Sequence, residues 1–69
     1  MKGFNFSVES KASRISEQYA RKKYISIDDS IRIFINSKTY DLLSDEKTGL
    51  YLEVFEYVYD MFLEELGDM

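Results

Sequence analysis

The 69-residue sequence predicts an all-α domain: a small bundle of about four helices at about 8–23, 27–36, 37–43 and 53–66, preceded by a short extended N-terminal arm. Three observations point that way. Val8, Ala12, Ile15 and Tyr19 recur at intervals of four, three and four residues, which at about 100° per residue confines them to one narrow stripe. The run "EVFEYVYDMFLEEL" at 53–66 is a single acidic and aromatic segment of helical length. Finally, 45% hydrophobic and 16% aromatic residues with no proline describe a folded chain that lacks the strongest helix breaker.

Each element has its own local signals. In "GFNFSV", Phe4 and Phe6 alternate with small or polar residues, as in an extended segment, and Ser7 is the expected N-cap of the first helix with Glu9 in its first turn. That helix ends in "RKK", where a helix C-terminus favours cations. In "SIDDSIRIFINS" two periods compete. Ile31, Ile33 and Ile35 alternate as in a strand, while Ile27, Ile31, Phe34 and Ile35 share a helical face. Ser26 followed by Asp29 resembles a capping box, and Asp28 and Asp29 stand in the first turn, so the helix is preferred.

A third, short helix opens at Asn36 or Ser37 and closes near Leu43. "SDEKTG" is a turn in which only Gly49 takes positive φ without cost, and "LYL" is briefly extended before the last helix. The rival arrangement is an α+β fold with a small hairpin around 39–54, pairing "TYDLL" with "LYLEV". Gly67 closes the last helix, leaving Asp68 and Met69 to fray. The expected core is Ile15, Tyr19, Ile31, Phe34, Leu42, Leu43, Phe55, Val58 and Phe62.

The last helix is too apolar for one core face. Its apolar arc runs from Tyr57 through Val54 and Phe62 to Leu63 and covers about 240°, where a stripe of a little over 100° is usual. Glu53, Glu56, Asp60 and Glu64 fill the complementary sector, and Glu65 alone intrudes into the apolar one. Either helices 1 to 3 grip this helix on both sides, or part of the arc, from Tyr57, Tyr59, Met61, Leu63 and Leu66, forms an interface with another chain.

Length and composition bound the function. A single domain over 1–69 lies near the size at which one core supplies only a few kcal/mol of net stability. With no cysteine and no histidine, neither a disulfide nor the usual metal staple is available, which leaves self-association. The same absences remove the usual general base and the best nucleophile, and none of the eight serines sits in a nucleophile elbow. No enzyme, cofactor or small-molecule substrate is expected. "DEKTGLYLE" fails as a calcium loop, because Lys47 and Leu50 occupy the positions that need an oxygen ligand and a glycine. No signal peptide or membrane span is evident, so a cytoplasmic protein is expected.

Charge is unevenly divided. Residues 1–38 carry eight Lys/Arg against four acids, a net of +4, while 39–69 carry Lys47 against nine acids, a net of −8. The basic residues Arg14, Arg21, Lys22, Lys23, Arg32 and Lys38 raise nucleic-acid binding, with helices 2 and 3 as a helix-turn-helix. Against it stand the net acidic chain and the lack of a glycine turn between those helices.

"NSKTYDLLSDEKTGLYLEVFEYVYDMFLEEL" carries a resemblance in Ser37, Lys38, Thr39, Tyr40, Leu42 and Leu43, then Asp45, Thr48, Gly49 and Leu50, then Glu64, Glu65 and Leu66. Over about residues 18–66 the chain resembles a group of short, uncharacterised bacterial helical proteins, a domain of unknown function sometimes encoded near toxin–antitoxin genes. The resemblance implies a compact helical domain and transfers no catalytic or binding residue. The group often starts its last helix with a Ser-Pro pair, where Glu53 and Val54 stand here.

The leading functional expectation is a non-enzymatic protein-interaction module, self-associating through helix 53–66 as a homodimer or docking another protein. The alternatives are a small nucleic-acid-binding regulator using the basic N-terminal half, and an antitoxin-like binder of a basic partner protein.

Overall fold

The computed structural model describes residues 2–68, and they form four α-helices joined by short turns, with no strand among them. Helix α1 spans Lys2–Lys23, α2 Ile27–Ile35, α3 Lys38–Leu43 and α4 Phe55–Leu66. Two 3₁₀ turns, Glu46–Thr48 and Leu50–Leu52, stand where the hairpin was the rival arrangement and where "LYL" was expected to be extended.

The N-terminal arm is the largest correction. Phe4 lies four residues before Val8, so it continues the stripe of Val8, Ala12, Ile15 and Tyr19, and α1 runs on through it. Its ring meets Tyr51 edge to face at 4.7 Å. Ser7 is therefore inside the helix and caps nothing. Only Phe6, on the other side of α1, is left exposed. At the far end Tyr24 adopts a left-handed φ of 57°, and the Ile25 amide donates to the Ala20 carbonyl at 3.1 Å. This is a Schellman closure built on a tyrosine instead of the usual glycine.

The next two helices start as expected. Ser26 Oγ accepts from the Asp29 amide at 3.1 Å, and Ser37 Oγ accepts from the Tyr40 amide at 3.0 Å. Asn36 and Ser37 are not helical; they form the whole linker between α2 and α3. Gly49 takes a φ of 71° between the two 3₁₀ turns. Helix α4 begins after Val54, which offers no side-chain cap, and closes at Gly67 with a φ of 76°. Asp68 is not frayed: its carboxylate accepts from the Tyr19 hydroxyl at 3.2 Å and from Lys23 Nζ at 3.3 Å.

Helix α2 folds back on α1, and the chain then crosses through α3 to the N-terminal half of α1, where Lys11 Nζ donates to the Tyr51 carbonyl at 2.9 Å. From there α4 follows α1 in the same direction, with Phe55 beside Arg14, Phe62 beside Tyr19 and Asp68 beside Lys23. One aromatic residue from each helix joins the core in an edge-to-face chain. Tyr19 of α1 meets Phe62 of α4 at 5.1 Å, Phe62 meets Phe34 of α2 at 5.0 Å, and Phe34 meets Tyr40 of α3 at 5.5 Å.

Of the expected core, Ile15, Tyr19, Phe34, Leu43, Val58 and Phe62 are buried and Phe55 is half-buried, but Ile31 and Leu42 are 41% and 38% exposed. A hydroxyl displaces each of them. Ser30, fully buried, donates to the Ser16 carbonyl at 2.6 Å, so α2 turns Ser30 and Phe34 inward and rolls Ile31 to its flank. Thr39 takes the equivalent place in α3, beside Leu43, and leaves Leu42 at the surface.

Candidate interaction surfaces

The residue that turns α3 is Glu65. Its carboxylate accepts from the Lys38 amide at 2.7 Å, the Thr39 amide at 2.8 Å and the Thr39 hydroxyl at 2.7 Å. An acid from α4 thus caps α3 across the fold, filling two of the amide positions that a helix start leaves without partners, while Ser37 fills a third. Partial burial opposes the charge on Glu65, yet these hydrogen bonds and the charge of Lys38 outweigh it and hold its carboxyl below the ordinary value. The one acid that intruded into the apolar arc of the sequence is the one acid of α4 whose side chain has a partner inside the molecule, among the described residues.

The expected α4 interface residues are divided by the fold. Leu63 is buried against the protein's own core, and Tyr59 is half-buried, stacked on Phe55 at 5.4 Å. Burial raises the Tyr59 hydroxyl pKa, as do the neighbouring Tyr19, Asp60 and Asp68. Tyr57, at 49% exposure, and Leu66, at 36%, stand about 180° apart around α4 and cannot join one patch. Tyr57 and Met61 do share a side, being one turn apart, and Met61 faces Leu42 across a groove of about 250 Å³ that Lys38, Thr39, Glu64 and Glu65 complete. Along that edge run Glu56, Asp60 and Glu64, with Glu53 in extended backbone just before the helix; all four are exposed and none is in an ion pair among the described residues.

The basic residues do not converge on one face. Arg14 and Arg21 lie within about 20° on α1, but Lys22 and Lys23 are rotated from Arg21 by about 100° and 200°. Arg14 lies over the Phe55 ring at 4.2 Å, Lys23 pairs with Asp68 at 3.3 Å, and Arg32 pairs with Asp29 at 3.3 Å. Lys38 stands apart at the start of α3.

A second surface carries no charge in its middle. Ile27, Ile31 and Ile35, at 42%, 41% and 46% exposure, form an i, i+4, i+8 row on α2. Beside it a groove of about 240 Å³ is walled on the α1 side by Glu9, Ala12, Ser13 and Ser16. The sequence assigned Ile31 to the core, so this row was not foreseen; its signal was the unbroken i, i+4 spacing of three isoleucines around a buried Ser30.

Among the described residues no group of three or more acids is placed to hold a metal, and no helix is long and apolar enough to cross a membrane. Comparison with protein-family models, with curated proteins and with solved structures finds no match to this chain.

Proposed function

We propose that the protein is a non-enzymatic protein-interaction module that receives a basic, amphipathic segment of another protein on the exposed edge of α4. What supports this is the juxtaposition of a groove in which Leu42 faces Met61, the exposed Tyr57 one turn before Met61 on α4, and the unpaired carboxylates Glu56, Asp60 and Glu64. Tyr57, Met61 and Leu42 provide apolar contact, and the acids beside them set orientation and association rate for a cationic partner. The lack of histidine and cysteine favours a binding role over a catalytic one. The resemblance to small helical bacterial proteins belongs to the same proposal.

The test is calorimetric titration with a synthetic Leu/Lys amphipathic helix, alongside a Leu/Glu helix of the same pattern. Binding of the basic peptide alone, weakened by added salt and lost in Tyr57→Asp and Met61→Asp, is the expected result. Equal binding of both peptides, or binding untouched by either substitution, would overturn the proposal.

A further inference from the structure

We infer that the isoleucine row of α2 is a homodimer interface, in which α2 packs antiparallel against α2 of a second copy of this chain. Ile27, Ile31 and Ile35 form an i±4 ridge, the kind of row that packs into its own equivalent in the commonest class of helix crossing, at about −50°. Each is more than 40% exposed, and no charged side chain lies between them. A two-fold axis at Ile31 sets Ile31 against itself and Ile27 against the second copy's Ile35, so one patch serves both partners.

Charge selects this arrangement over its alternatives. Asp28 and Arg32 lie about 60° and 100° from the middle of the row, both on the side away from the α1 groove. In the antiparallel dimer Arg32 stands about 3 Å along the helix axis from the second copy's Asp28, and the symmetry makes the contact twice. A parallel dimer, whose two-fold axis runs along the helices, would carry the two copies' Asp28 and Arg32 to opposite flanks and make neither contact. Asp28 has no ion-pair partner among the described residues, and the intrachain contact of Arg32 with Asp29 is exposed and exchangeable. A highly basic or acidic protein partner would gain nothing from a flank that presents one charge of each sign beside an apolar centre. A second copy gains both.

The surface is separate from the α4 edge, so either proposal can fail alone. The experiment is sedimentation equilibrium on the full chain over a hundredfold concentration range, with far-UV circular dichroism to show that each variant is folded. The parent is expected to dimerise, and Ile31→Asp to weaken the dimer about a hundredfold while keeping its helical spectrum. Asp28→Lys and Arg32→Glu, each of which opposes like charges, are expected to weaken it about three- to tenfold, and the double reversal to restore it. Tyr57→Asp should leave it unchanged. A parent that is monomeric throughout, a dimer indifferent to Ile31→Asp, or a double reversal that adds to the single losses would each overturn the inference.

Discussion

Helices α2 and α4 are both rich in large apolar residues, and the fold treats them in opposite ways. Helix α4 has the wider apolar arc, yet Val58, Phe62 and Leu63 are buried and Phe55, Tyr59 and Met61 pack against the core. Helix α2 is shorter and buries only Ser30 and Phe34, while four isoleucines stay between 37% and 46% exposed. The width of an apolar arc therefore does not measure what a helix leaves for a partner. Both helices pack against α1 and α3, and what differs is rotation: α4 turns Val58, Phe62 and Leu63 inward, whereas the Ser30–Ser16 bond turns Ser30 and Phe34 of α2 inward and leaves its isoleucines outside.

The sharpest way to break this comparison is one aspartate in each helix. Leu63→Asp places an unpaired charge among the core of α4 and is expected to cost about 4 kcal/mol or more, enough to unfold a domain of this size. Ile31→Asp is expected to change the stability of the monomer by within about 0.5 kcal/mol. Urea unfolding at high dilution reads both, and comparable losses would mean that the two helices are equally enclosed.

Next in size is the link between α3 and α4. Glu65→Ala removes the acceptor of three hydrogen bonds and should destabilise by about 1–2 kcal/mol. The sign with pH follows from the lowered pKa of Glu65. Its contribution is complete above the ordinary carboxylate value of 4.5 and is lost as the pH falls through the lower folded value. The stability difference between the parent and Glu65→Gln should accordingly shrink below about pH 4.5. A difference constant from neutral to strongly acid pH would show that the charge of Glu65 contributes nothing.

The smallest effects are gains at helix ends. Val54 precedes α4 in extended geometry with no side-chain acceptor, and Val54→Asp should supply one for about 1 kcal/mol. Tyr24 is 96% exposed at a φ of 57°, so Tyr24→Gly should relieve strain at the end of α1 and stabilise by about 0.5–1 kcal/mol. Thermal melts of the two variants check both, and a loss at position 24 would reveal a contact for the tyrosine ring.

Much of the fold was legible before any coordinates. Periodicity marked the helices, and Ser26, Ser37, Gly49 and Gly67 punctuate the chain where their backbone chemistry requires it. The extended arm failed because alternation of Phe4 and Phe6 outweighed the four-residue step from Phe4 to Val8, a competition between two periods over very few residues. "LYL" failed for a similar reason, since three residues carry no period and a 3₁₀ turn serves them equally well. The candidate surfaces were less legible. The α4 edge was present in the sequence only as part of a larger set, and the isoleucine row was assigned to the core.

The sequence by itself determined the number of helices, most of their caps, the charge division between the two halves and the absence of histidine and cysteine. Only the tertiary structure decided how α2 and α3 are rotated. A helical period says which residues share a face, but neighbouring faces differ by a fraction of a turn and compete for the interior. Hydrogen bonds from Ser30 to Ser16 and from Thr39 to Glu65 settled that competition in favour of small hydroxyl residues. Both bonds join distant parts of the chain, and the isoleucines and leucine they displaced became the surface.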